Sequence, residues 1–102
     1  MGMEIRLTLS LPRDRSTVPL TRRVLDAALG VFSVTRDCRD DIGLAVGEAC
    51  ANAVQHADLG ADYQVTVIIH ALADMVEFRR HQPHGVALRI VKMLTRVTTA
   101  TA

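Results

Sequence analysis

The sequence predicts an α+β fold, a two-layer sandwich with helices on one face of a mostly antiparallel or mixed sheet. Three observations support this prediction. Residues 4–11, EIRLTLSL, alternate apolar and polar side chains, which indicates a half-buried strand. Two longer stretches, 18–33 and 37–57, repeat apolar residues with a helical period. Residues 63–69, YQVTVII, are β-branched and alternating, as is typical of a strand.

The two long periodic stretches also carry signals for where each helix begins. Pro19 lies in the first turn of the stretch 18–33, where its missing N–H would have no helical partner in any case. Acids from Asp37 onward lie at the start of the second helix, where the helix dipole favours negative charge. The second helix is therefore predicted to run to about Ala57.

The last third of the chain predicts further elements. Residues 75–79 read as a strand antiparallel to the preceding one, across a turn near 71–74. Residues 86–94 are apolar on a helical period, so a third helix is predicted to start at or just after Gly85. The tail, 96–102, is threonine-rich, and we expect either a final edge strand or a frayed end.

Composition limits the class of protein. The 102 residues suit a single domain spanning 1–102, and a formal net charge of +1 gives no reason to expect binding to nucleic acid or to an anionic membrane. Two cysteines, Cys38 and Cys50, do not suggest a disulfide framework. No leader-like segment or apolar run of about 20 residues is present, so we expect a cytoplasmic protein.

A polar line interrupts the second predicted helix. Glu48, Asn52 and His56 follow one another at spacings of four and therefore fall within about 80° of one another around the helix. An ordinary solvated helix face is one explanation. The other is a ligand pocket, because residues 42–57 contain no Lys or Arg. A carboxylate can deprotonate a hydroxyl, and an amide oxygen is a suitable ligand for Mg²⁺.

Residues 40–57, DDIGLAVGEACANAVQHA, resemble the N-box of the GHKL (Bergerat-fold) ATPases. More narrowly, they resemble bacterial anti-sigma-factor serine/threonine kinases that switch partners with an anti-anti-sigma protein. The N-box is an acid, three residues, an asparagine and a helix end near His-Ala, matched here at Glu48, Asn52 and His56-Ala57. The order of predicted elements also fits. The resemblance implies a histidine-kinase-like ATPase fold with ATP or ADP and Mg²⁺ as ligands.

The resemblance also implies roles for single residues. Glu48 would be the general base that activates the hydroxyl or water attacking the γ-phosphate. Asn52 would hold the Mg²⁺ that bridges the nucleotide phosphates, and His56 would border the nucleotide site.

A second glycine motif of the family resembles Gly85-Val86-Ala87-Leu88. Gly85, Ala87 and Leu88 would then contact phosphate, with Gly85 opening a helix whose N-terminal amides face the anion. Ala87 replaces the motif's second glycine.

One part of the family pattern is missing. The family has an Asp-x-Gly-x-Gly motif, whose aspartate bonds the adenine amino group, and a lid after the strand that corresponds to 75–79. Here the chain continues RHQPHG, so both are absent between about 79 and 85. Either the segment belongs to the protein but not to this stretch of sequence, or the chain has lost it and does not hold adenine. The short junction between a strand and a helix favours the first explanation.

The resemblance implies an ATP-binding anti-sigma regulatory factor that phosphorylates a serine or threonine of an anti-anti-sigma (STAS-type) partner and sequesters a sigma factor. A homodimer is a further possibility, and direct contact with nucleic acid or membrane is not expected. The alternative is a degenerate module of the same fold that sequesters a protein without nucleotide. Arg22 and Arg23 on the first helix are predicted to be solvated, with partner docking as the alternative.

Overall fold

The computed structural model describes residues 3–56, 62–82 and 85–97, with their side chains except those of His56 and Gln82. The chain forms six elements, which are β1 (Glu4–Leu11), α1 (Thr17–Val31), α2 (Arg36–His56), β2 (Tyr63–His70), β3 (Met75–Gln82) and β4 (Gly85–Met93). The four strands make one antiparallel sheet in the order β1-β2-β3-β4. The predicted α+β sandwich is confirmed.

The two helices lie between the first two strands in sequence, although those strands are neighbours in the sheet. β1 pairs with β2 along its whole length, from Glu4 opposite His70 to Leu11 opposite Tyr63. The remaining strands follow one another as a meander. None of the described helices has both the length and the apolar character needed to cross a membrane.

The core lies between the helices and one face of the sheet. Alternate residues of each strand point to this face, so that β2 contributes Val65, Val67 and Ile69 and β3 contributes Val76 and Phe78. Each of these five side chains is at most 2% exposed. The second helix meets them with small residues, which allow its backbone to approach the sheet closely, namely Val46, Ala49, Cys50 and Ala53.

A buried polar contact joins the start of α1 to the start of β2. The hydroxyl oxygens of Thr17 and Tyr63 are 2.6 Å apart, and Thr17 Oγ1 donates to the carbonyl of Asp14 at 2.6 Å. A threonine hydroxyl has one proton to donate, so the Tyr63 hydroxyl is the donor to Thr17. Burial raises the pKa of Tyr63, which keeps the phenol protonated as that donor.

The third helix predicted from Gly85 is wrong, because residues 85–93 form β4. Val86, Ile90 and Met93 fit a helical period, yet the half-buried residues of this strand are Leu88 and Ile90, which are two positions apart. A short apolar run does not distinguish the two periods. A strand here supplies partners for the backbone groups of β3 that would otherwise form a free sheet edge.

The face of the sheet turned away from the helices carries a charge cluster around Glu77. Its Oε1 accepts from Arg79 Nε at 2.5 Å and from Arg89 Nε at 2.6 Å. Hydrogen bonds from Arg79 and then Arg89 lower the pKa of Glu77 to about 2. The carboxylate is only 5% exposed because the arginine side chains cover it, on a face that no helix covers.

We predict that Glu77→Gln destabilises the protein at neutral pH, because both arginines lose a charged acceptor. The pKa of Glu77 is lower in the folded chain than its ordinary value of 4.5. Its stabilising contribution is therefore complete above pH 4.5 and declines as the pH falls towards 2. Urea unfolding of both proteins across this range measures the difference, which we expect to shrink with acidification.

Glu4→Gln is the matched control for this pH series. Glu4 lies on the same sheet and pairs with Arg6 at 2.9 Å, but both side chains are well exposed, so its removal should change stability little. A Glu77→Gln effect that stays constant from neutral pH to pH 2 would contradict the assigned ion pairs.

Candidate functional site

The exposed side of α2 carries the two residues that the sequence singled out. Glu48 and Asn52 are both exposed, one turn apart, whereas Val46, Ala49 and Ala53 of the same helix are buried against the sheet. The helix therefore separates a core side from a polar side, as its periodicity predicted. The His56 side chain, the third member of the predicted line, lies outside the described part of the chain.

Neither exposed side chain is engaged by the rest of the described chain. Glu48 and Asn52 make no hydrogen bond or ion pair within it, so their oxygens are available to a ligand. The described residues contain no group of three or more His, Cys, Asp and Glu side chains that could hold a metal alone. A Mg²⁺ ion at this site would therefore complete its shell with waters and phosphate oxygens, as Mg²⁺ commonly does.

Arg80 reaches α2 from the sheet below it. The alternation of β3 that buries Val76 and Phe78 also turns Arg80 towards the helices, and its Nη1 donates to the carbonyl oxygen of Ala49 at 2.7 Å. Arg80 was not among the residues that the sequence singled out. The alternation of the strand could have identified it, because every second residue lies on the buried face.

The sequence between Arg79 and Gly85 carries no Asp-x-Gly-x-Gly motif. β3 and β4 pair antiparallel, with Gln82 opposite Gly85, and a strand-to-strand hairpin needs only a two-residue connection. The short junction therefore joins two strands, and not the strand and helix predicted from the sequence. Arg79 and Arg80 lie within β3, which continues to Gln82, and arginine has donors only, so neither side chain can accept a hydrogen bond from an adenine amino group.

The phosphate contact predicted at the second glycine motif required a helix starting at Gly85, but a strand starts there instead. Gly85 opens β4 with a φ of +112°, so its backbone conformation suits glycine. Ala87 is exposed, and Leu88 lies opposite Arg80 and packs against the core. Because β4 begins at Gly85, no helix N-terminus at this position directs amides at an anion.

A groove lined by arginines lies on another side of α2, where its first half faces α1. Its volume is about 370 Å³, and we call it the arginine groove. Its formal charge is positive because four arginines and two aspartates line it. The lining residues are Pro19, Arg22, Arg23, Leu25, Asp26, Arg36, Arg39, Asp40 and Gly43.

The arginines of this groove are not equally neutralised. Asp26 pairs with Arg36 at 3.2 Å and with Arg39 at 3.5 Å, whereas Arg22 and Arg23 make no ion pair within the described residues. Glycine makes room for Arg22, because a Cβ on Gly47 would lie 3.1 Å from its Cδ. The groove therefore presents two arginines without a carboxylate partner.

We predict that Glu48→Gln and Asn52→Ala leave folding stability within about 0.7 kcal/mol of wild type, because both side chains are exposed and unpaired. Val46→Ala is the matched control on the same helix. It removes two buried carbons and should cost about 2 kcal/mol. Urea unfolding monitored by circular dichroism measures all three. A loss at Glu48 or Asn52 as large as at Val46 would show that these residues serve the fold.

Comparison with known proteins agrees with this architecture. Residues 11–68, from the end of β1 into β2, match the family model of the histidine kinase-like ATPase domain. Serine-protein kinase RsbW of Listeria innocua is 33% identical over 78 residues, which cover 76% of this chain and 50% of that protein. The chain thus spans about half the length of this relative. With more than half of its residues matched by the family model, the chain belongs to the histidine kinase-like ATPase domain family.

Proposed function

We propose that this chain is a regulatory factor that binds ATP or ADP with Mg²⁺ along the exposed side of α2 and phosphorylates a serine or threonine of a protein partner. The observation that carries the proposal is the pair Glu48 and Asn52, which the fold exposes and leaves without partners. The family match includes this pair, and the similar protein from Listeria is named a serine-protein kinase.

The two residues supply different chemistry. The amide oxygen of Asn52 would hold the Mg²⁺ ion, which when bound neutralises charge on phosphate oxygens. The Glu48 carboxylate would accept the proton of the partner's hydroxyl as that oxygen attacks the phosphoryl group. Its exposure suits this role, because a protein hydroxyl must reach it from solvent. Small neighbours such as Ala45 leave room for that approach.

The proposed biological setting is partner switching in transcription control, in the cytoplasm. The partners would be a sigma factor, which the protein sequesters, and an anti-anti-sigma protein of the STAS type, which it phosphorylates. The support is the similarity to RsbW over three quarters of this chain.

We predict that saturating Mg·ATP raises the free energy of unfolding by about 2.7 kcal/mol at about 100 times the Kd. Asn52→Ala should weaken the Mg²⁺-dependent part of binding, and Glu48→Ala should abolish phosphoryl transfer while leaving binding largely intact. Isothermal titration with and without Mg²⁺ and transfer of labelled phosphate to a STAS-type partner measure these effects. Absence of nucleotide binding by the wild-type protein would refute the proposal.

A nucleotide-independent interaction module is the second candidate. It is favoured by the sequence after Arg79, which continues RHQPHG without the Asp-x-Gly-x-Gly motif. Such a module would sequester its partner through protein contacts alone. The arginine groove is the best surface for this purpose, because Arg22 and Arg23 are exposed there without acidic partners.

For this candidate we predict that binding of a purified sigma factor or STAS-type protein is unchanged by Mg·ATP. Arg22→Glu combined with Arg23→Glu should weaken that binding, because it reverses two charges in the groove. Arg6→Glu, on the sheet face away from the helices, is the matched control and should have little effect. Surface plasmon resonance measures each interaction, and equal losses from the groove and control variants would exclude the groove as the docking site.

A further inference from the structure

Arg80 is a partly buried cation that the fold of the chain alone does not neutralise. Its Nη1 bonds to the Ala49 carbonyl, its Nε is buried without a hydrogen-bond partner, and no carboxylate pairs with it in the described part of the chain. The neighbouring Arg79, by contrast, pairs with Glu77. Taking a guanidinium out of water without an anion is unfavourable, so the position of Arg80 needs a reason beyond packing.

The bond to Ala49 fixes where the charge lies along α2. A helical carbonyl points towards the amide four residues later, so the guanidinium lies level with Asn52 and Ala53. Asn52 is about 60° from Ala49 around the helix axis and Glu48 about 100°. Arg80 therefore contacts, from the side of the sheet, the turn of α2 that also carries the exposed Glu48 and Asn52.

This juxtaposition combines a cation with two oxygen-bearing side chains. Glu48 and Asn52 provide oxygens suited to a hard divalent cation, and the arginine fork provides donors suited to phosphate oxygens. A metal-bound polyphosphate uses both kinds of group at once. An adenine amino group uses neither the donors of Arg80 nor its charge.

Resting on the function proposed above, we infer that Arg80 is the phosphate-binding residue of the α2 site and that the site recognises Mg²⁺-bound polyphosphate rather than a particular base. Arg80 is then a determinant of specificity. Its N–H donors bind the phosphate chain and not the base. Because ATP and GTP share that chain, they are equivalent ligands.

The test is competition for a fluorescent ATP analogue bound to the whole chain with Mg²⁺. Mg·ATP and Mg·GTP should compete with affinities within about threefold of each other. Mg·tripolyphosphate should also compete, and adenosine should not. Arg80→Gln should weaken all three phosphate ligands by about tenfold or more, as expected for loss of a charged hydrogen bond. Arg80→Lys should fall in between, since lysine keeps the charge but not the fork.

The experiment distinguishes a structural role of Arg80 from a role in ligand binding. Arg6→Gln is the control for loss of an arginine, and circular dichroism of each variant checks folding. A folded Arg80→Gln or Arg80→Lys protein that binds Mg·ATP as tightly as wild type would overturn the inference and leave the proposed function standing. Strong preference for ATP over GTP and tripolyphosphate would also overturn it. Absence of binding by every probe to the wild-type protein would reject the proposed function itself.

Discussion

The close packing of α2 on the sheet is the constraint on which the other features depend. Its buried stripe consists of small residues, with Ala49, Cys50 and Ala53 at most 3% exposed. Such residues bring the helix backbone near enough to β3 for Arg80 to reach a main-chain carbonyl. The same packing turns Glu48 and Asn52 outward and brings the first half of the helix against α1. A larger residue at Ala49 would thus disturb the core and the proposed ligand site together.

The near-neutral net charge conceals an uneven distribution. On the open face of the sheet, Glu77 offsets charge from Arg79 and Arg89 at short range. In the arginine groove the positive charge exceeds the negative, and on the exposed side of α2 Glu48 has no basic partner within the described residues. Charge in this molecule is therefore separated by location, with an acidic side of α2 suited to a metal ion and a basic groove suited to an acidic surface.

Long periodic elements could be predicted from the sequence, whereas pairings between elements could not. Both helices and the first three strands were located because their apolar residues repeat over many positions. The exposure of Glu48 and Asn52 follows from that same helical period. The error at β4 has a physical cause. The nine residues Gly85–Met93 fit both a helical period and a strand period. The strand forms because it pairs with the edge of β3, which would otherwise be free. Arg80 was missed because its contact with Ala49 spans 31 residues and depends on how the helix sits on the sheet.

The pairing of β1 with β2 has a consequence for the speed of folding. The α1–α2 pair and the β2–β3–β4 meander are both local in sequence and can form early. Leu11 meets Tyr63 only after the segment with both helices has closed on itself, a step that carries a loop-closure entropy cost. Contacts between distant residues slow folding, so we expect docking of β1 to limit the rate. Until then the core side of β2, including Val65 and Val67, remains without its neighbouring strand, and this intermediate is where self-association would compete with folding.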